Sequence, residues 1–413
     1  MTIPAHSQCV IAGGGPAGMA LGLLLARAGV TVTVLEKHRD FLRDFRGDTI
    51  HPSTMEILHE LGLLERFLQL PHEKVSRISG SFGDLLVPFA DFSHLRVHAP
   101  FIAMMPQWDF LDFLADEGKR YPSFHLAMSA EAVDLIEEGG RVVGVRVKAD
   151  GGEKEIRGDL VVAADGRHSV LRRQAGLKVR DLGAPIDVLW FRLSRQPDDT
   201  AETMGRFDPG AIMVMINRGT YWQCAYVIPK GGIDEVKAQG LQAFKVRLAK
   251  SLPIPADRAD EIASWDDIKL LTVAVDRLEQ WYKPGLLCIG DAAHAMSPVG
   301  GVGVNLAVQD AVAAANILGT PLREGRVEDH HLAAVQKRRL CPTRIVQSIQ
   351  VAVQNNVIAP TLRASAPRKP PLPARLLVRF PLLRRLPARL VGLGIRPEHV
   401  SDEIRRADGA PRT

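Results

Sequence analysis

Short, wholly apolar runs that stop at a glycine or an acid recur along this 413-residue chain. In "SQCVIAGGGPAGMALGLLLARAGVTVTVLEKH" the run from Gln8 to Ala12 predicts a buried strand. A glycine turn and an apolar helix over 16–28 come next, with Gly29 at the helix end and a second strand over 31–35 that stops at Glu36. "LVVAADGRHSVLRRQAG" repeats the form and ends on Asp165-Gly166. "GLLCIGDAAHAMSPVGGVGVNLAVQDAVAAANIL" ends on Gly290-Asp291 and runs through Gly300, Gly301 and Gly303 into a helix of small residues.

Elsewhere the pattern alternates. "FHLAMSAEAVDLIEEGGRVVGVRVKADGGEKEIRGDLVVAADG" predicts an antiparallel meander with two glycine turns. Strands are predicted at "DVLWFRLSR", "AIMVMIN", "YWQCAYVIP" and "IKLLTVAV", with a helix over 233–250. "HLAAVQKRRLCPTRIVQSIQVAVQNNVIAP" reads as one long helix interrupted near Pro342. In the helix opened by Gln107, residues Phe110, Leu111, Phe113 and Leu114 have core spacing.

The first turn carries Gly13-x-Gly15-x-x-Gly18, with Pro16 and Ala17 opening the helix. Gly13 suits the tight turn, Gly15 a close backbone approach to a pyrophosphate, and Gly18 close helix–strand packing. The helix start offers unpaired N–H groups and a positive dipole end. Glu36 is placed to accept from a ribose 2′-OH, which favours FAD or NAD over NADP. A glycine fingerprint alone is a weak signal, but here strand, turn, helix, strand and acid fall in order.

Composition narrows the classes. Apolar residues make up 46% and charged residues 24%, as in an ordinary globular protein. The net charge of +5 is concentrated in the tail, where 361–413 holds twelve Lys/Arg against four Asp/Glu. The basic character therefore does not indicate a nucleic-acid binder. Cys9, Cys224, Cys288 and Cys341 stand apart, so neither a metal cluster nor a disulfide framework is expected, which fits a reducing cytoplasm. The start "MTIPAHS" lacks the features of a signal peptide, and no uninterrupted apolar run reaches the ~18–20 residues of a membrane span.

Taken alone, Asp165-Gly166 marks a turn, and Arg167 and Arg172 could serve a surface ion pair. The glycine fingerprint, the strand–DG–R segment and the strand–GD segment in this order resemble the class A flavoprotein monooxygenases. These are the FAD-dependent, para-hydroxybenzoate hydroxylase-like family, and the resemblance spans roughly residues 5–355. It implies an α/β fold, with a Rossmann-like FAD/NAD(P)-binding domain of the glutathione-reductase type and a mixed-sheet α+β substrate domain. The FAD domain would be discontinuous, over 1–75, 98–180 and 276–358. The substrate domain would take 76–97 and 181–275, leaving 359–413 as a basic, proline-rich segment.

The resemblance also assigns residues. Gly13, Gly15, Pro16, Ala17, Gly18, Glu36 and the adjoining Lys37 would hold the ADP part. Arg46, ahead of a helix capped by Ser53-x-x-Glu56, and Gln107 would lie near the cofactor. Asp165 and Arg167 belong to the motif tied to both FAD and nicotinamide, and Asp291 would meet the ribityl chain. Gly300, Gly301 and Gly303 would clear room for the isoalloxazine ring, with Pro298 shaping the loop beside it. Val304 and Asn305 would turn their amides to the flavin N1–C2=O edge, which gains negative charge on reduction. Trp190, Arg192, Met213, Met215, Tyr221, Trp222 and Tyr226 are pocket candidates, each equally readable as strand core. His51, His72 and His294 are proton-handling candidates by residue type alone, so no catalytic residue is singled out.

The activity so implied is monooxygenation. NADH or NADPH, bound transiently, would reduce FAD. O2 would add at the flavin C4a, and the hydroperoxide would pass one oxygen to an electron-rich, aromatic or hydrophobic small molecule. A halogenase or reductase of the same fold and a non-catalytic FAD-binding protein are the alternatives. "YWQCAYVIP" shares only the terminal Ile-Pro of the halogenase motif Trp-x-Trp-x-Ile-Pro. A monomer and a homodimer are both compatible with the sequence. The tail can cap an apolar pocket or lie on a membrane, and its prolines favour the cap.

Overall fold

The computed structural model describes residues 3–42, 49–83, 85–149, 151–199, 203–366 and 370–406. Five parallel strands form its spine: β1 (His6–Ala12), β2 (Val32–Leu35), β3 (Phe124–Ala127), β4 (Gly152–Ala163) and β5 (Leu286–Cys288). Their spatial order is β5-β4-β1-β2-β3. Cys9–Ala12, Leu160–Ala163 and Leu286–Cys288 are almost wholly buried. Both sheet faces are covered, which is why these runs are continuous rather than alternating. Helices α1 (Pro16–Arg27) and α3 (Gly303–Arg323) pack together in this core, while α2 (Pro52–Glu60) and α4 (Asp329–Val353) flank it.

Three expectations change here. Phe124–Ala127 pairs in parallel with β2, so the antiparallel meander holds only the strands Glu131–Glu138, Arg141–Ala149 and β4. The long helix is not interrupted at Pro342. It continues to Val353, and a π turn over Gln354–Ile358 then passes into Ala359–Leu362. Proline removes one N–H, and the packing of Val335, Pro342 and Val346 holds the helix across that gap. Gly240, at φ +87, splits the helix expected over 233–250 into Ile233–Ala238 and Leu241–Ser251.

A second, seven-stranded sheet takes Lys269–Leu271, Ile186–Ser194, Tyr221–Pro229, Ala211–Asn217, Met204–Asp208, Arg77–Phe82 and Leu85–Asp91 in that spatial order. Its residues alternate between two apolar layers. Leu189, Phe191, Met213, Met215, Trp222 and Tyr226 lie with Phe244 and Leu248 of the helix Leu241–Ser251. Val188, Trp190, Ile212, Val214 and Ala225 lie on the other face, in the layer that includes Val299.

One helical stretch among the described residues, Val299–Arg323, is long and apolar enough to cross a bilayer, but 78% of its most apolar window is buried inside the protein.

Candidate functional site

The glycine turn, the DG turn and the GD turn leave the carboxyl ends of adjacent parallel strands, where open α/β sheets bind ligands. Backbone bonds tie them together: Gly13 N–H donates to Leu35 O at 2.8 Å, Ala164 N–H to Ala12 O at 2.7 Å, and Ile289 N–H to Ala163 O at 3.0 Å. A Cβ on Gly13 would lie 2.3 Å from Ala164 O, and one on Gly18 2.0 Å from Gly13 O, so the packing of the protein itself demands both glycines. Gly15 has nothing within 4 Å of its would-be Cβ. No side chain caps α1, which leaves the first-turn N–H groups of Ala17 and Gly18 to an outside acceptor. Glu36 is buried, and its carboxylate accepts from Gly14 N–H and His38 N–H, each at 3.0 Å, which fixes it beside the turn. Lys37 is exposed.

The two acidic turns meet directly. Arg167 and Asp291, 124 positions apart, form an ion pair at 3.3 Å. One Asp165 oxygen caps the short helix Val170–Gln174, accepting from Val170 N–H at 2.8 Å and Leu171 N–H at 3.3 Å. The other is buried without a partner, and burial pushes the carboxyl above its ordinary pKa. Arg172, buried, grips both oxygens of Asp276 at 3.2 Å and also donates to Ala292 O and Arg167 O.

At the third turn, Gly300 and Gly301 have φ of +82 and +62, and Thr49 donates to Gly301 O at 2.8 Å. Pro298 is half-buried at the start of the 3₁₀ turn Val299–Gly301. Gly303 opens α3 with nothing within 4 Å of its would-be Cβ, and this helix also lacks a side-chain cap. The N–H groups of Gly303, Val304 and Asn305 are thus left outside the helix ladder. Asn305 is locked from the side: its Oδ1 accepts from Ser53 Oγ at 2.5 Å and Thr54 Oγ1 at 2.8 Å. The predicted Ser53-x-x-Glu56 capping box does not form. Pro52 starts the helix, Ser53 turns to Asn305, and Glu56 pairs with His98. Gln107 opens its helix half-buried, and Arg46 lies outside the described residues.

The three histidines differ. His51 is fully buried between the Gly301 loop and the tail, with Nδ1 2.8 Å from Val391 O. Burial lowers its pKa to about 4, so it is neutral, and Nε2 has no partner. His72 bonds Leu70 O and stacks on Phe101. His294 belongs to a buried network absent from the sequence reading. Asp310 accepts from its Nε2 at 2.6 Å, from Gly290 N–H at 3.1 Å and from Arg339 Nε at 2.9 Å, and Arg339 continues to Glu398 at 3.2 Å. Burial alone would raise the Asp310 carboxyl, but His294 and Arg339 together hold it below its ordinary value. The network fixes the glycine beside Asp291. In the sequence Asp310 is only a lone acid in the apolar helix "NLAVQDAVAAANIL", with nothing local to name its partners.

Four pocket candidates are corrected. Met213, Met215, Trp222 and Tyr226 face the helix-covered layer, because strand residues alternate and these fall on the outer parity. Trp190 lies on the inner parity, among Val214, Ile216, Ile102 and Met104 and the tail residues Val391 and Leu393. Arg192 and Tyr221 share that parity, with the guanidinium 5.0 Å over the ring, but Arg192 is exposed.

Two uncapped helix starts, open space over Gly15 and Gly303, and an orphaned buried carboxyl oxygen on Asp165 suit an elongated ligand with a pyrophosphate and a planar ring that takes negative charge. FAD fits this donor set. Residues 6–349 match the FAD binding domain family, and the chain belongs to it, as an FAD-dependent monooxygenase of the class its motifs resemble. It is 32% identical over 391 residues to 6-methylpretetramide 4-monooxygenase of Streptomyces rimosus, covering 94% of this chain and 92% of the relative. It is 29% identical to the 12-dehydrotetracycline 5-monooxygenase/anhydrotetracycline 6-monooxygenase of Streptomyces rimosus subsp. rimosus, covering 73% of this chain and 60% of that one. The solved structure of pqsL, a probable FAD-dependent monooxygenase from Pseudomonas aeruginosa, superposes with a TM-score of 0.74 over 87% of this chain and 98% of that one. At 20% identity this is a likeness of fold alone.

Proposed function

We propose that this monooxygenase uses NADH or NADPH and O2 to hydroxylate a polycyclic aromatic molecule. The observation that carries the reading is the meeting of the three turns with an uncapped helix start at each end. Gly15, Ala17, Gly18 and Glu36 would hold the ADP part, Asp291 the ribityl chain, and Gly303, Val304 and Asn305 the pyrimidine edge of the ring. Lys37, Arg46, Gln107, Asp165, Arg167, Pro298 and Gly301 are proposed to border the same cofactor.

When bound, FAD supplies the redox chemistry, accepting reducing equivalents from NAD(P)H and activating O2 so that one oxygen atom reaches the substrate and the other leaves as water. The protein binds, orients and excludes water. The α3 start offers preorganised N–H groups where negative charge develops. Trp190, Val214 and Ile216 with Val391 and Leu393 form an apolar wall suited to a flat, fused ring system. Neutral His51 donates from Nδ1 to Val391 O, leaving Nε2 as an acceptor behind the ring loop. The substrate class follows the relative's name, and the near-full-length match at 32% identity supports it.

The test is NAD(P)H oxidation with a panel of polycyclic phenols and quinones, with product mass followed. Stimulated oxidation with a gain of one oxygen atom is expected. A panel that leaves oxidation at its substrate-free rate, while single-ring phenols are hydroxylated, would overturn the substrate class.

A further inference from the structure

The tail presents a face that the cofactor site does not use. Residues 370–397 contain six arginines and no acid. They fold as α5 (Leu372–Arg379), a 3₁₀ turn Pro381–Arg384 and α6 (Arg385–Gly392). Pro373 and Pro387 fall in first turns, where proline costs no helix bond. The inner side is anchored: Ala374 and Ala388 are buried, and Gly392 sits against Phe92 and Leu95, over the edge strand Leu85–Asp91. The outer side exposes Leu372 (65%), Phe380 (50%), Leu382 (68%) and Leu386 (68%), and Leu86 of the edge strand extends the patch at 58%. Arg375, Arg379, Arg385 and Arg389 stand exposed around them, and no ion pair reaches these four among the described residues.

We propose that this face binds the surface of an anionic lipid bilayer. Four exposed guanidinium groups that make no ion pair among the described residues match a negative headgroup layer in charge. Leu372 and Leu386 lie on the two short helices and Phe380 and Leu382 on the turn between them, so they form protruding points rather than a groove shaped for a partner chain. Insertion into the headgroup–acyl boundary needs no shape complementarity, only apolar points ringed by cations. The same segment turns Val391 and Leu393 inward to the apolar wall, so the docked face lies outside the site it covers.

The test is co-sedimentation of the full-length FAD-loaded protein with vesicles of equal parts phosphatidylglycerol and phosphatidylcholine, against phosphatidylcholine alone. Binding is expected only to the anionic vesicles and should weaken as salt rises. Leu382→Asp with Leu386→Asp should lower partition at least about tenfold. Arg379→Gln with Arg385→Gln should lower it by roughly fivefold per arginine. Both variants should keep native FAD content and turnover in solution, which separates this proposal from the substrate assignment. No sedimentation with anionic vesicles at low salt, equal binding to both vesicle types, or variants that bind like the native protein would overturn it. So would lipid-free self-association, seen by light scattering, that the leucine variants abolish, since the occupant would then be a second copy of the chain.

Discussion

The two glycine-lined helix starts look alike in sequence but are built on different grounds. At the α1 start, Gly13 and Gly18 are demanded by the protein's own backbone, with would-be Cβ contacts of 2.3 Å to Ala164 O and 2.0 Å to Gly13 O. At the α3 start, Gly300 and Gly301 serve left-handed turns, while the space over Gly303 borders no protein atom within 4 Å. A glycine required by the fold and a glycine required by a ligand are therefore distinguishable, and substitution should fail differently at each. The first should cost the fold, the second the cofactor.

The largest effect is expected from Gly18→Ala. The new methyl would meet backbone that cannot step aside, so destabilisation should reach or exceed ~3 kcal/mol, the upper range for overpacking. Thermal unfolding of the apoprotein measures it. An apoprotein as stable as the native one would erase the distinction between the two turns.

At the α3 start, His51 supplies a pH-dependent check. Its folded pKa of about 4 lies below the unfolded 6.5, so between these values the unfolded chain binds more protons and stability falls as pH drops. The loss should approach about 3 kcal/mol by pH 4. Chemical denaturation of native protein and His51→Gln across this range should show a slope in the first that the second lacks. Buried Asp165, whose raised pKa acts in the opposite direction, cancels in the difference.

Asp291→Ala should lower FAD affinity by roughly 1.5–3 kcal/mol, the worth of a hydrogen bond to a charged acceptor, and free Arg167. Fluorescence titration of apoprotein with FAD reads this, and unchanged affinity would remove Asp291 from the cofactor. Smallest is Glu36→Ala, which should weaken FAD binding by about 1–2 kcal/mol through the Gly14 and His38 amides it holds, leaving the bound flavin's spectrum unaltered. A shifted spectrum would mean that the two ends are not separate.

The contrast also explains what was legible in the chain. The parallel strands were readable because strands buried on both faces leave continuous apolar runs, and the three turns because each carries a local glycine or acid signature. Phe124–Ala127 looked like the first strand of a meander, since four residues cannot reveal that their partner is β2. Met213, Met215 and Trp222 were misread because alternation shows that two faces exist but not which one the Val299–Gly301 turn lies against. Long-range side-chain bonds such as Ser53 to Asn305 and Arg339 to Asp310 leave no local trace at all. The tail's basic composition was plain in the sequence, whereas its two faces emerge only from its seat over Leu85–Asp91.

If the empty space over Gly303 belongs to the flavin ring, Gly303→Val should displace that ring. The measurement is the flavin midpoint potential of this variant, with FAD content and apoprotein melting temperature recorded alongside. The apoprotein should be as stable as the native one, with FAD content sharply reduced. Any flavin retained should have a lower potential, because the reduced ring has lost its nearest amides. Normal FAD content with an unchanged potential would place the ring elsewhere.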